Sequence, residues 1–319
     1  MPLYLVTGGA GFIGSHLVDS LVRDGHRVRV LDDLSTGRRD NLPRDIEFVL
    51  GDVADADLVK SAMAGTDGCF HLAAIASVAR ANEDWLGTHR TNQTGSIAVF
   101  EAARDAGRLP VVYASSAAVY GDHGPVRLHE NLAPRPLSAY GADKLGSELH
   151  ARVAALVHRT PSTGLRFFNV FGPRQDPRSP YSGVISIFAE RVINRRTITI
   201  NGDGMQTRDF IYVGDVVDHL RASMLRMTVR LGTEPPAADV FNVCTGVSTS
   251  ILGLAETLGE ITGWVPAIAF APARAGDIRS SLGNPGSARA SLRTAPPTAL
   301  ADGLDRLITA LHPELRLVG

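Results

Sequence analysis

The chain has 319 residues, 44% hydrophobic and 20% charged, with a formal net charge of −1. That composition fits a soluble enzyme with a sizeable core and two lobes. Near-neutral charge without a basic run speaks against nucleic acid as the main partner. No apolar stretch approaches the roughly 20 residues that span a bilayer, so a cytoplasmic location is expected.

The first apolar run, Leu3-Tyr-Leu-Val-Thr7, breaks into closely spaced glycines before an amphipathic segment begins. Gly9, Gly11 and Gly14 satisfy G-x-G-x-x-G, and Gly8, Gly11 and Gly14 give a wider three-residue spacing. Missing β-carbons let backbone approach a diphosphate at the N-terminus of the next helix, where free N–H groups and the helix dipole favour anions. Strand-like Arg27-Val-Arg-Val-Leu31 then ends at Asp32. A carboxylate there hydrogen-bonds an adenosine ribose and repels a 2′-phosphate, which favours NAD over NADP. Arg38 and Arg39 offer the opposing reading as phosphate ligands, but as solvated loop residues they leave NAD preferred. Asp52, after Ile46-Glu-Phe-Val-Leu50, reads on its own as a helix N-cap.

Apolar runs near residues 3–7, 27–31, 46–50, 68–73, 110–114 and 163–168 alternate with helix-period segments. This predicts an α/β fold with a doubly wound, mostly parallel sheet, whose ligands lie beyond the strand C-termini. Cys69 and Cys244 lie in apolar strand-like runs and read as buried thiols, and no metal site is expected. From about residue 170 the texture changes to loops rich in Pro, Arg and Gly. The expected organisation is a Rossmann lobe over 1–168, with returns near 208–245, and a smaller α/β substrate lobe over 169–319 interleaved with it.

Tyr140-Gly-Ala-Asp-Lys144 opens a long helix, and the i,i+4 spacing puts phenol and ammonium on one face. A cation beside a phenol lowers its pKa and makes it usable as a base near neutral pH. The strand ending at Ser116 brings a third polar group to the same cleft.

The joint order of these motifs resembles the extended short-chain dehydrogenase/reductase superfamily and, within it, the UDP-sugar 4-epimerases. Carrying the resemblance are Thr7-Gly-Gly-Ala-Gly-Phe-Ile-Gly14, Asp32, Asp52-Val53, His71-Leu-Ala-Ala74, Asn92, Ser115-Ser116, Tyr140/Lys144 and Arg166-Phe-Phe-Asn-Val-Phe-Gly-Pro-Arg174. It continues through Asn201-Gly-Asp-Gly204, Thr207-Arg-Asp-Phe-Ile-Tyr-Val213 and Arg274-Ala-Gly-Asp277. The resemblance implies NAD held by Gly8, Gly11, Phe12, Ile13, Gly14, Asp32, Asp52, Val53, Leu72, Ala73, Ala74 and Asn92, with Asp52 and Val53 at the adenine. It implies Tyr140 as acid/base on the sugar 4-hydroxyl. Lys144 would hold the nicotinamide ribose and tune Tyr140, while Ser116 hydrogen-bonds the 4-oxygen. The sugar would pass through a transient 4-keto form, with NAD regenerated each cycle. Arg208, Arg274 and Asn169 would hold the substrate diphosphate, since arginine forks match phosphate geometry. Asp277 would take the ribose, and Val184, Thr199 and Asn201 the uracil. Ser281 falls at the family's gate position, where a small residue admits a 2-acetamido group.

Neighbouring chemistries differ beside Ser116. Sugar 4,6-dehydratases of similar sequence carry an Asp-Glu pair there, and glucuronate decarboxylases keep the Glu; Ala117 and Ala118 disfavour both. The loop Ser179–Ser186 looks like that of the neutral and N-acetyl-hexosamine branch, while Arg174 and Arg178 keep UDP-glucuronate 4-epimerisation open as an alternative. Further alternatives are a nucleotide-4-ketosugar reductase and an NAD-sensing protein on the same fold. The expected substrates are UDP-GlcNAc/UDP-GalNAc, with UDP-Glc/UDP-Gal as a second pair. The family resemblance also implies a homodimer built on helices near 85–107 and 139–158. Ile97, Val99, Phe100, Leu149, Val153 and Leu156 would serve there as core or as seam.

Overall fold

The computed structural model describes residues 1–176, 183–273 and 277–312. Its first strand, β1 (Leu3–Thr7), is buried at every position, as a central parallel strand covered on both faces must be. In chain order follow α1 (Phe12–Arg23), β2 (Arg27–Asp32), β3 (Glu47–Leu50), α2 (Ala56–Met63), β4 (Gly68–His71), α3 (Val78–Glu83), α4 (Trp85–His89), α5 (Gly95–Asp105) and β5 (Val111–Ser116). Next come β6 (Arg127–Leu128), α6 (Ala139–His158), β7 (Ser162–Phe167), β8 (Asn169–Phe171), α7 (Val184–Ile193), β9 (Ile198–Asn201), β10 (Thr207–Arg208), β11 (Phe210–Tyr212) and α8 (Val213–Arg230). The chain closes with β12 (Ala238–Val243), β13 (Thr249–Ser250), α9 (Ile251–Thr262), β14 (Ile268–Ala271), β15 (Ser280–Gly283), α10 (Gly286–Leu292) and α11 (Leu300–Leu311).

The main sheet runs β3-β2-β1-β4-β5-β7-β12 with every pairing parallel. Strand order reverses between β1 and β4, and a ligand crevice opens at the strand C-termini there. Side chains alternate across the sheet. Tyr4 and Val6 enter a core shared with Leu17 of α1 and Leu220 of α8, while Leu5 enters one shared with Val59 of α2 and Val99 of α5. β12 returns from far along the chain to pair with β7 and complete the sheet.

A third core, with Phe171, Phe188, Ile198, Leu254 and Leu307, holds α7, α9 and α11 together as a second lobe. Two small sheets, β13-β10-β15-β6 and β11-β8, tie this lobe to the first, and a third, β14-β9, lies within it. Both cysteines are buried and unpaired. The helix expected over 85–107 is interrupted: a π-helical turn, Arg90–Thr94, separates α4 from α5. Of the apolar residues on these helices, Val99 and Phe100 are core, whereas Ile97, Leu149, Val153 and Leu156 are exposed. Among the described residues no helix is long and apolar enough to cross a membrane.

Candidate active site

The turn between β1 and α1 is built on close backbone approach. Gly8 has φ +69°, and a β-carbon there would lie 2.6 Å from the Ala73 backbone nitrogen. At Gly14 a β-carbon would overlap the Gly8 carbonyl oxygen, whereas at Gly11 it would stay 3.2 Å away. Gly11 is the N-cap of α1, and no side chain caps that first turn. Its N–H groups are therefore available to an anion in the adjoining cavity.

That cavity, of about 450 Å³, is lined by Gly8, Gly11, Phe12, Ile13 and Gly14 at the turn. Asp32, Asp52 and Val53 line one end, Leu72, Ala73 and Ala74 the middle, and Ser116, Tyr140 and Lys144 the other end. Thus the residues carried over as cofactor and catalytic contacts share one cleft, with the exception of Asn92. The Asn92 side chain instead clamps Ile75, its Oδ1 accepting from the Ile75 N–H (2.8 Å) and its Nδ2 donating to the Ile75 carbonyl (3.2 Å). It shapes the wall without lining it.

Asp32 ends β2 with its carboxylate fixed by two backbone donors, Ala10 N–H (2.9 Å) and Leu34 N–H (2.8 Å). Burial raises its pKa and these donors oppose the rise. Arg39 donates to the carbonyls of Pro43 and Arg44 (both 3.1 Å) and stacks 5.2 Å from the Phe48 ring, while Arg38 is exposed. The helix-cap reading of Asp52 does not hold, because Asp55 caps α2 by accepting from Leu58 N–H (3.1 Å). Asp52 instead accepts from Ala54 N–H (2.8 Å) and pairs with Arg90 (3.1 Å).

At the other end, Ser116 finishes β5 and its Oγ accepts from Ala118 N–H (3.1 Å). Ser138 caps α6 through Gly141 N–H (3.1 Å), setting Tyr140 in the first turn, where it lines the same end of the cleft as Ser116. The buried Lys144 ammonium donates to the Ala114 carbonyl (2.9 Å) and lies 5.9 Å from the Tyr140 ring centroid. The expected lowering of the Tyr140 pKa is not produced by the protein alone. Burial raises it against the opposing effect of the neighbouring Ser116 hydroxyl, and burial also lowers Lys144 to about 8, opposed by the negative charge of Asp143.

Three groups whose roles the motifs did not announce brace this end. Asp143 is buried and its Oδ1 bonds His89 Nδ1 (2.7 Å). The buried pair Arg166–Glu148 (2.7 Å) holds Ser115, whose hydroxyl donates to Glu148 (2.5 Å). His71, held neutral by burial with a pKa near 3, bridges Thr7 (2.8 Å) and Ser96 (3.1 Å), and Ser147 donates to Ser96 (3.0 Å). That chain ties the glycine-turn strand to the helix of Tyr140. Helical spacing gave no hint of it. Arg80, which also lines the cavity, was likewise not singled out.

The substrate-contact candidates lie beyond this cavity. Val170 lines it, and its neighbour Asn169 donates from backbone (3.0 Å) and side chain (3.2 Å) to the Asp209 carbonyl. Buried Asp209 is a hub, accepting from Thr245 N–H (2.8 Å), Thr245 Oγ1 (2.7 Å) and Gly246 N–H (2.9 Å). Its neighbour Arg208 pairs with Asp277 (2.5 Å) and sits in register beside Ser281 across β10 and β15. Arg208, Asp277 and Ser281 therefore form one group, reached from the cavity through Asn169 and Asp209. Val184 begins α7, and Thr199 and Asn201 lie on β9, which pairs with β14 in a separate sheet. Arg274 and Arg178 lie outside the described residues. Arg174, raised above as a carboxylate ligand, pairs with Asp19 of α1 (2.7 Å) and does not line the cavity.

A parallel sheet with a glycine turn at its switch point and a Ser/Tyr/Lys set at the neighbouring strand ends defines an extended short-chain dehydrogenase/reductase. The NAD dependent epimerase/dehydratase family matches residues 4–243. A UDP-glucose 4-epimerase of Mycolicibacterium smegmatis is 39% identical over 311 residues, spanning 95% of this chain and 96% of that one. A UDP-N-acetylglucosamine 4-epimerase from Methanobrevibacter ruminantium, solved with UDP-N-acetylmuramic acid, superposes with a TM-score of 0.90 at 32% identity, covering 98% and 99% of the two chains. A UDP-glucose 4-epimerase of Thermus thermophilus, solved with NAD, gives 0.86 at 33% identity over 99% and 100%. The chain belongs to the UDP-sugar 4-epimerase family of the extended short-chain dehydrogenases/reductases.

Proposed function

We propose that the protein is an NAD-dependent 4-epimerase of UDP-hexoses, acting on UDP-GlcNAc/UDP-GalNAc and also on UDP-Glc/UDP-Gal. The observation that carries this reading is the single cleft joining an uncapped glycine turn to the Ser116/Tyr140/Lys144 set. NAD, held between Asp32 and Tyr140, would supply the acceptor and donor of hydride at the sugar 4-carbon. Tyr140 takes the proton from the 4-hydroxyl and gives it back. Ser116, beside Tyr140 in the lining of the cleft, orients the 4-oxygen. Lys144, 5.9 Å from the Tyr140 ring centroid, would hold the reacting end of the cofactor through its ribose. Arg208 exchanges Asp277 for the substrate diphosphate, and Asp277 turns to the uridine ribose. The enzyme acts as a homodimer in the cytoplasm.

The neutral-sugar reading over glucuronate is supported by Arg174, whose guanidinium is engaged on the outer side of α1. The acetamido reading is supported by Ser281, a small residue beside Arg208. Purified protein incubated with each UDP-hexose and no added NAD should interconvert the 4-epimers. Strict, stoichiometric consumption of NAD(P)H would make it a reductase instead. Ser281→Tyr should remove turnover of the acetamido sugars by steric overlap and spare glucose/galactose interconversion. A variant that handles both classes like the parent would remove Ser281 from the gate.

A further inference from the structure

Arg80 is the one arginine among the described residues that line the cofactor cleft. It lies on α3, where its backbone N–H donates to the capping Ser77 hydroxyl (3.1 Å). Its guanidinium has no hydrogen bond or ion pair among the described residues, so it faces the cleft with its five donors unspent. The other charged groups of the cleft are already engaged. Lys144 is turned to the Ala114 carbonyl, Asp52 is paired with Arg90, and Asp33 accepts from the Ser35 N–H and hydroxyl.

The position of Arg80 along the cleft follows from the chain. Segment 72–76 runs directly beneath the glycine turn, since Gly8 approaches Ala73 too closely for any β-carbon, and α3 begins two residues later. Asn92 pins that segment at Ile75. Arg80 is therefore carried by the element that borders the turn, between the adenosine end at Asp32 and the reacting end at Tyr140. A dinucleotide spanning those ends places its diphosphate there. The uncapped first turn of α1 offers this group N–H donors but no full positive charge.

We infer that Arg80 is the guanidinium clamp on the diphosphate of the bound dinucleotide, closing over it from the side opposite the α1 N-terminus. The inference rests on the NAD reading above. A charge-assisted pair of this kind stabilises a bound anion well beyond a neutral hydrogen bond.

The test compares wild type, Arg80→Lys and Arg80→Ala, titrated with ADP-ribose, adenosine and UDP, alongside NAD retained per chain after purification. Arg80→Ala should weaken ADP-ribose on the order of tenfold or more, lower NAD retention, and flatten the salt dependence of ADP-ribose binding. Adenosine and UDP should bind as to wild type. Arg80→Lys should keep part of the affinity, and once stripped of NAD all three proteins should melt together, because the Arg80 side chain makes no hydrogen bond or ion pair among the described residues. ADP-ribose affinity in Arg80→Ala within twofold of wild type would overturn the inference, as would a loss shared equally by adenosine or UDP. A wild-type chain that binds no ADP-ribose at all would overturn the NAD reading itself, a failure distinct from that of Arg80.

Discussion

Tyr140 and Lys144 stand one helical turn apart on α6, and burial moves both pKa values against base catalysis: the phenol up, the ammonium down to about 8. Replacing Tyr140 by Phe keeps the ring and removes the proton acceptor. Turnover should fall on the order of a hundredfold or more with substrate affinity little changed, in steady-state kinetics beside direct binding. Near-normal turnover would hand the proton to another group. For Lys144 the folded pKa of about 8 lies below the ordinary 10.5, so between those values the unfolded chain binds more protons than the folded one. Stability on this account therefore rises as pH climbs through that window, and the full cost, about 3 kcal/mol, is carried at neutral pH. Subtracting the urea-unfolding free energies of Lys144→Met from those of wild type between pH 7 and pH 10 should expose that rise; a flat difference would mean the ammonium is not desolvated. The Tyr/Lys pair was readable because its chemistry depends on spacing along one helix. Asp143 and His89 were not, because their meeting depends on how α4 packs against α6.

At the scale of elements, the glycine turn illustrates what a pattern can and cannot say. The spacing of Gly8, Gly11 and Gly14 predicts a nucleotide turn, but the structure grades their roles. At Gly8 a β-carbon would lie 2.6 Å from backbone and at Gly14 it would overlap the Gly8 carbonyl oxygen, while at Gly11 it would meet that oxygen at 3.2 Å, a contact relieved by a shift of a few tenths of an ångström. Gly14→Ala should consequently cost on the order of 3 kcal/mol or more of stability, because the obstructing atom is backbone and cannot yield. In NAD-free protein Gly11→Ala should cost much less stability than Gly14→Ala yet weaken NAD binding, since Gly11 lines the cofactor cavity. Thermal melts paired with NAD content per chain separate the two, and equal melting temperatures for both variants would contradict the assignment. The π turn at Arg90–Thr94 was invisible to helical periodicity, because one extra residue per turn barely disturbs a short pattern. That extra residue nevertheless decides the role of Asn92, which is buried against Ile75 and not in the cleft. β12 escaped the list of expected sheet strands for another reason: its partner, β7, lies more than seventy residues earlier, and no local signal names a distant neighbour.

On the scale of the whole molecule, the two lobes bury their own cores, yet an apolar stripe on α6 is left in water. Leu149, Val153, Leu156 and Val157 recur at i, i+4, i+7 and i+8 on α6, with 57%, 48%, 71% and 67% of their surfaces exposed, while Ala151, Ala154 and Ala155 of the same helix pack inward. Ile97 of α5 is exposed as well, and α5 packs beside α6. The sequence left these residues open between core and seam because periodicity locates an apolar stripe without saying what covers it. A second copy meeting this pair of helices across a two-fold axis would bury the stripe against itself, and each leucine so covered contributes roughly 1.5–3 kcal/mol. The protein should accordingly elute with a light-scattering mass near twice 33.9 kDa at micromolar concentration. Leu149→Glu combined with Leu156→Glu should yield monomers, because two copies of each carboxylate would then be brought into a desolvated seam. Since both side chains are solvent-exposed within one chain, the variant should keep its fold and its bound NAD, so loss of the dimer can be told from unfolding by circular dichroism and NAD content. A wild-type mass of one chain, or a double variant that stays dimeric, would place the contact elsewhere.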